Sequence, residues 1–318
     1  MAGLPLVTGA TGFAGSHLVE HLLADLPAIA AWGNPAGHGA GRPDPRVQWA
    51  AVDLLDRRAV LEALSALRPS AIYHCAGSAH VGDSFSAPER ALRINVLGTH
   101  HLLDGVRDTG LTCRVLVTGS AMVYRRTTSA IDEAAPIGPS SPYGVSKLAQ
   151  EMLALRATAT PVILARPFNH AGPRQSPTYV TSSFAQQIAE IEAGRLAPVL
   201  RVGNLDSRRD ITDVRDTVRA YRLLLERGVP GRPYNVCSGR AYRVGDLLEE
   251  LVALSRVSIS IEPDPSRLRP SDDAVILGDC TRLRQETGWT ARIPMTQTLD
   301  DLLGYWRARI RNADAEPL

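Results

Sequence analysis

The chain has 318 residues, 44% of them hydrophobic, enough for a large core built as one α/β domain or as one such domain with a smaller lobe. Its formal net charge of +2 is too balanced for a nucleic-acid binder, so any basic residues that meet an anionic ligand must be local. The four cysteines, Cys75, Cys113, Cys237 and Cys280, form no CxxC pair; this argues against a zinc site or a disulfide framework and favours reduced thiols and a cytoplasmic address.

Residues 4–8 form a short apolar run, read as a buried first strand. Residues 14–26 follow as a helix, with Leu18, Val19, Leu22, Leu23 and Leu26 on one stripe and Pro27 ending it. Strands are predicted at 29–32, 47–52, 71–75, 114–118 and 162–166, and helices at 56–67, 89–108 and 142–157. The Gly- and Pro-rich stretch 33–45 reads as a loop. Strands alternating with helices at this spacing predict an α/β fold with a doubly wound parallel sheet of the Rossmann type. Beyond Arg166 the rhythm weakens. Residues 168–210 read as loops with one helix at 182–193, 213–227 as a helix, and 234–236 as a short strand placed to rejoin the sheet. From 243 to the end the pattern holds two helices and a Pro-rich loop at 263–270. The expected division is a dinucleotide-binding domain over 1–167, with 211–240 returning to it. A smaller substrate lobe takes 168–210 and 241–318. The first Lys or Arg is Arg42, so the apolar start lacks the positive region of a secretory signal. No uninterrupted apolar run reaches the roughly 18 residues of a membrane span.

Gly9, Gly12 and Gly15 in VTGATGFAG lie between the first strand and the first helix. The first permits a tight turn, the second lets the backbone approach a pyrophosphate, and the third lets the helix pack close. The helix N-terminus then offers free N–H groups to phosphate, with Thr11 and Phe13 in the same turn. NAD enzymes usually carry an acid at the end of the second strand; here no carboxylate lies between Asp25 and Asp44, and Asn34 falls near that place. The absence permits the 2′-phosphate of NADP(H), with Arg42 the nearest cationic partner; NAD(H) stays possible. Asp53, next to Leu54 after the third strand, reads equally as a helix cap or an adenine contact. Ala76 and Gly77 are small where the cofactor must pass, though a plain turn also explains Gly77.

Tyr143 and Lys147 in SPYGVSK stand at i and i+4 on one helix face. An ammonium near a phenol favours phenolate, so Lys147 is expected to make Tyr143 more acidic. Ser120, just past the fifth strand, is placed to bridge Tyr143 and a substrate oxygen. His74, His80, His100, His101 and His170 show no ligand spacing, so metal catalysis is excluded; the adjacent pair His100 and His101 reads as helix surface.

TGATGFAG, RINVLGT, GSAMVY and SPYGVSK together resemble the extended short-chain dehydrogenase/reductase family, nucleotide-sugar branch, over nearly the whole chain. The resemblance implies Ser120, Tyr143 and Lys147 as a catalytic triad. It implies an NAD(P) cofactor met also by Asn95 and Arg166, and a C-terminal lobe that grips a nucleotide diphosphate sugar. Dehydratases of this branch carry an acid pair directly after the catalytic hydroxyl, where this chain has Ala121 and Met122; neither serves as an acid or base. ARPFNHAGPRQ, VGNLDSRRDITDVRD, YNVCSG and RLRPSDDAVILGD resemble the GDP-mannose-processing enzymes, most of all the GDP-4-keto-6-deoxy-D-mannose reductases. On that likeness Asn169 and Arg174 meet the diphosphate or sugar, Arg209 and Arg269 take phosphate oxygens, and Asp272 takes the nucleotide ribose, with Ser120, Ala121 and Met122 beside the sugar. Each arginine also reads as a surface ion-pair partner. The chain departs from the reductase pattern at Met122 and Arg125. The expected reaction is reduction of a C4 ketone; a 4-epimerase with a retained cofactor uses the same triad and is the alternative. Apolar residues on several sides of helices 89–108 and 142–157, which pair across a two-fold axis in this family, imply a homodimer.

Overall fold

The computed structural model describes residues 3–35, 44–267 and 274–315. Short apolar runs make the strands β1 (Pro5–Thr8), β2 (Ile29–Gly33), β3 (Val47–Ala51), β4 (Ala71–His74), β5 (Arg114–Thr118) and β6 (Val162–Pro167). After them come β7 (Asn169–Ala171), β8 (Val199–Val202), β9 (Arg208–Asp213) and β10 (Pro233–Val236). The sheet is seven-stranded, in the order β10-β6-β5-β4-β1-β2-β3, and every pairing in it is parallel. Residues 234–236 therefore do rejoin it. The order reverses between β1 and β4, so the carboxyl ends of these two strands flank the crevice where such sheets bind ligands.

Both faces of the sheet are buried, which is why its strands read as unbroken apolar runs. One set of alternate residues, including Val7, Tyr73, Leu116 and Ile163, forms an apolar cluster with Leu18 and Leu22 of α1 (Phe13–Leu23) and with Val218 and Leu224 of the later helix at Val214–Arg227. The other set, including Leu6, Ile72, Val115 and Leu164, forms a second cluster with Val60 and Leu64 of α2 (Arg57–Leu67) and with Leu102, Val106 and Ala154. Asp56 caps α2 by accepting from the backbone N–H groups of Arg58 and Ala59, which starts the helix one residue later than expected.

The helix predicted at 89–108 is in three pieces. α3 (Val81–Ser86) precedes it; α4 (Pro88–Leu92) leads into a π-helical turn at Arg93–Leu97, and α5 (Gly98–Asp108) completes it. The wider turn carries Asn95, whose buried side chain ties the segment to Ser78 and Ser146. α6 (Pro142–Arg156) starts as predicted, capped by Ser141 with Pro142 in its first turn.

The second half departs further from expectation. Residues 168–210 hold three strands as well as α7 (Val180–Glu192), because β9 gathers short partners that no local run announces. β9 pairs with β7, with β11 (Ala241–Arg243) and with β13 (Val275–Ile276), while β8 pairs with β12 (Ser260–Pro263). α8 (Val214–Arg227) is capped by Asp213. After residue 243 there are three helices among the described residues, not two: α9 (Val244–Ala253), α10 (Thr281–Thr287) and α11 (Met295–Ala315). α7, α9 and α11 bury Phe184, Leu247, Leu251, Leu299, Leu302 and Trp306 in a separate apolar cluster. Among the described residues no helix is long and apolar enough to cross a membrane.

Candidate active site

The crevice between β1 and β4 is shaped by glycine. Gly9 has φ +65°, and a Cβ on it would stand 2.6 Å from the Ala76 backbone. A Cβ on Gly15 would stand 2.1 Å from the Gly9 carbonyl oxygen, so the helix approaches this closely only because the residue has no side chain. Gly12 is the N-cap of α1 and no side chain caps the helix, which leaves its first N–H groups facing the crevice mouth as an anion cradle. The arrangement fits a pyrophosphate.

Deeper in the crevice, residues far apart in sequence converge. A Cβ on Gly77 would meet the Asn95 Oδ1 at 2.7 Å and the Lys147 Nζ at 3.3 Å. Lys147 is 5% exposed, and its Nζ donates to the Thr118 carbonyl at 2.9 Å and to the Gln150 Oε1 at 3.0 Å. Tyr143 is buried beside it, with the ring centroid 6.0 Å from Nζ. The Tyr143 backbone N–H donates to the Ser84 Oγ, which pins the first turn of α6 to α3. Ser120 is buried and caps a single turn at Ala121–Val123 by accepting from the Met122 N–H. Ala121 and Met122 follow it with no ionisable group.

The electrostatics correct one expectation. Burial pushes the Tyr143 phenol up to about 12, opposed by a hydrogen bond with Ser120, so burial outweighs the acidifying effect expected of the neighbouring ammonium. Two of the three ammonium N–H groups are taken by Thr118 and Gln150. Lys147 itself is lowered to about 8 by burial, with Cys75 opposing. At neutral pH the site therefore holds a proton-loaded phenol beside an ammonium.

The surroundings of the other expected residues follow from their partners in the fold. Arg166 is buried, its guanidinium locked in a two-pronged ion pair with buried Glu151 and bonded to the Tyr124 hydroxyl, which commits three of its N–H groups in the core. Arg174 makes a two-pronged pair with Glu20 on α1. Arg209 donates to the Arg208 carbonyl, and Asn169 to the Asp210 carbonyl at 3.3 Å. Asp53 closes its own turn by accepting from the Leu55 N–H, and it does not cap α2. Leu54 packs under Gly98, and Asn34 is exposed at the end of β2. Arg42, Arg269 and Asp272 lie outside the described residues. His101 is not a surface residue: its ring is buried and its Nδ1 bonds the Leu54 carbonyl, while His100 is half-buried. Among the described residues no group of His, Cys, Asp and Glu could hold a metal ion.

Sequence reasoning missed Gln150, Thr99 and Ser84. Gln150 stands at i+3 from Lys147 on α6, a spacing that puts two side chains together, so it was findable. Thr99 and Ser84 carried no local signal.

Comparison with known proteins agrees with this architecture. The family model described as GDP-mannose 4,6 dehydratase matches residues 6–302. A GDP-6-deoxy-D-mannose reductase of Pseudomonas aeruginosa is 38% identical over 311 residues, covering 96% of this chain and 97% of that protein. The solved structure of RMD from Pseudomonas aeruginosa complexed with NADPH superposes with a TM-score of 0.85 at 35% identity, covering 97% of this chain and all of that one. UDP-glucose 4-epimerase of Thermus thermophilus in complex with NAD gives 0.84 at 26% identity, covering 95% of this chain and 98% of that one.

Proposed function

Because the chain belongs to the GDP-mannose 4,6 dehydratase family, we propose that it reduces the C4 ketone of a GDP-4-keto-6-deoxy sugar, in the manner of a GDP-6-deoxy-D-mannose reductase, with NADPH as the favoured cofactor. The observation that carries the reading is the buried cluster of Ser120, Tyr143 and Lys147 beside a glycine-built phosphate cradle, with Ala121 and Met122 where an eliminating enzyme needs acids. When bound, the nicotinamide supplies the hydride. Tyr143 gives its proton to the new alkoxide; a phenol raised to about 12 keeps that proton until an oxygen of higher basicity arrives. Ser120 orients the substrate oxygen, and Lys147 supplies positive charge where negative charge develops.

The lean to NADPH rests on the carboxylate-free stretch after β2 and on the bound ligand of the Pseudomonas structure. Residues 168–210 and 241–318 form the nucleotide-sugar side, with Arg209 and Asn169 at its edge. A homodimer is part of the proposal. Leu92 and Leu97 are exposed, as are Val145, Met152 and Leu155, which lie along one stripe of α6. An address in the cytoplasm fits the four free thiols among the described residues.

Tyr143→Phe tests the mechanism. The variant should lose about 10²–10⁴-fold in kcat toward the keto sugar while binding NADPH as the wild type does. Full activity in the variant rules the assignment out.

A further inference from the structure

We propose that Gln150 is a positioning residue: together with the Thr118 carbonyl it fixes two of the three N–H directions of Lys147 and so aims the third into the space bounded by Gly77, Asn95 and Tyr143. The inference deepens the functional reading above and rests on it for its catalytic consequence.

Lys147 is the only lysine in the chain; every other residue of the Lys and Arg class is arginine. A guanidinium carries its donors in a rigid planar fork, whereas an ammonium is a compact charge with rotatable donors. Its direction must be set from outside. No carboxylate contributes to its charge state; burial and Cys75 are the influences on it. Its protein partners are two neutral oxygens, at 2.9 Å and 3.0 Å.

The orientation of Gln150 follows from donor and acceptor counting. An ammonium only donates, so Oε1 faces Nζ and Nε2 faces away, donating to the Thr99 Oγ1 at 2.8 Å. The Thr99 hydroxyl gives its proton to the Asn95 carbonyl at 2.7 Å. Its remaining neighbour, the His74 Nε2 at 2.8 Å, must therefore be a donor. This fixes His74 as the Nε2–H tautomer, and its Nδ1 accepts from the Thr8 hydroxyl at 2.8 Å. Burial, with the Lys147 charge adding to it, lowers His74 to about 3, so the ring stays neutral. Each proton from Thr8 to Lys147 has one place, and Gln150 cannot flip without breaking two bonds. The chain of bonds is a strut for the ammonium.

The titratable groups that face Lys147 are Cys75 and His74 from the β4 end and Tyr143 from its own helix. Burial pushes the Cys75 thiol and the Tyr143 phenol each up to about 12, so neither titrates alongside the ammonium.

A protein with one lysine offers a direct readout. Incorporation of ¹³Cε,¹⁵Nζ-lysine gives a single side-chain signal whose pH titration reports Lys147 alone. Gln150→Met keeps the volume and removes the acceptor; the midpoint should fall by about one pH unit. Gln150→Glu puts a carboxylate at the same place, and the midpoint should rise. The alkaline limb of kcat/KM for the keto sugar should follow each shift. If Gln150→Met does not fold, Thr99→Val removes the strut behind Gln150 and should move the midpoint the same way by less. Midpoints that stay at the wild-type value, or that move together in Gln150→Met and Gln150→Glu, overturn the proposal. A wild type that titrates and responds in this way but reduces no nucleotide sugar would overturn the functional reading instead, leaving the positioning of the ammonium intact.

Discussion

His74 makes the strut behind the active site sensitive to acid. The ring is fully buried and neutral, held between Thr8 and Thr99 at 2.8 Å on each side. Burial, assisted by the Lys147 charge, takes it from 6.5 to about 3. An imidazole whose folded pKa is depressed binds fewer protons than the unfolded chain at every pH between the two values, so stability falls as pH drops below 6.5 and keeps falling until about 3. From pH 7.5 to 5 the loss is about 2 kcal/mol, and by pH 4 about 3 kcal/mol, from this one group. His17, lowered to about 4 by burial, acts in the same direction. Glu133 and Asp210, whose carboxyls burial pushes up, act in the opposite one. A comparison with His74→Gln removes these shared contributions. Urea unfolding of wild type and variant across this range should show wild-type stability falling more steeply, by about 1.4 kcal/mol per pH unit below 6. Parallel curves would mean that His74 is protonated in the folded protein, and the proton placement argued for the strut would be wrong.

Glu151→Gln leaves the Arg166 guanidinium buried without its counter-charge and should cost about 3–5 kcal/mol in unfolding free energy, whereas Glu151→Leu with Arg166→Met should recover most of it. A double variant no more stable than the single would contradict a purely structural role for Arg166. Met152→Glu places a charge at the most exposed position of the α6 stripe, where Met152 is 60% exposed, and should shift the protein to monomer in sedimentation at micromolar concentration. An unchanged sedimentation coefficient would remove that face from the dimer.

The parallel sheet was legible because its strands are buried on both faces and so stand out as apolar runs between glycines and helical stripes. β7, β11 and β13 were not, since two or three residues carry no periodicity and exist only by pairing with β9. The triad residues were named from motif spacing, and the structure does gather Ser120, Tyr143 and Lys147 with Asn95 and Gly77. What spacing could not reveal was competition for partners. The Thr118 carbonyl that takes one proton of Lys147 comes from another element and carried no local signal. Arg166 was expected to meet the cofactor, and its pairing with Glu151 on the neighbouring helix was not visible from spacing. His101 looked like helix surface because its burial depends on the Leu54 turn, 47 residues away in sequence. A side chain's role was readable where the backbone alone sets its place, and unreadable where a distant partner decides it.

A reductase of this kind makes a net hydride transfer to a ketone, and cofactor stoichiometry measures that directly. Purified protein mixed with GDP-4-keto-6-deoxy-D-mannose and NADPH should oxidise one NADPH for each ketone reduced, with Tyr143→Phe as the inactive control. Conversion of a nucleotide sugar with no net change in nicotinamide absorbance would contradict the reductase and identify a cofactor-retaining epimerase.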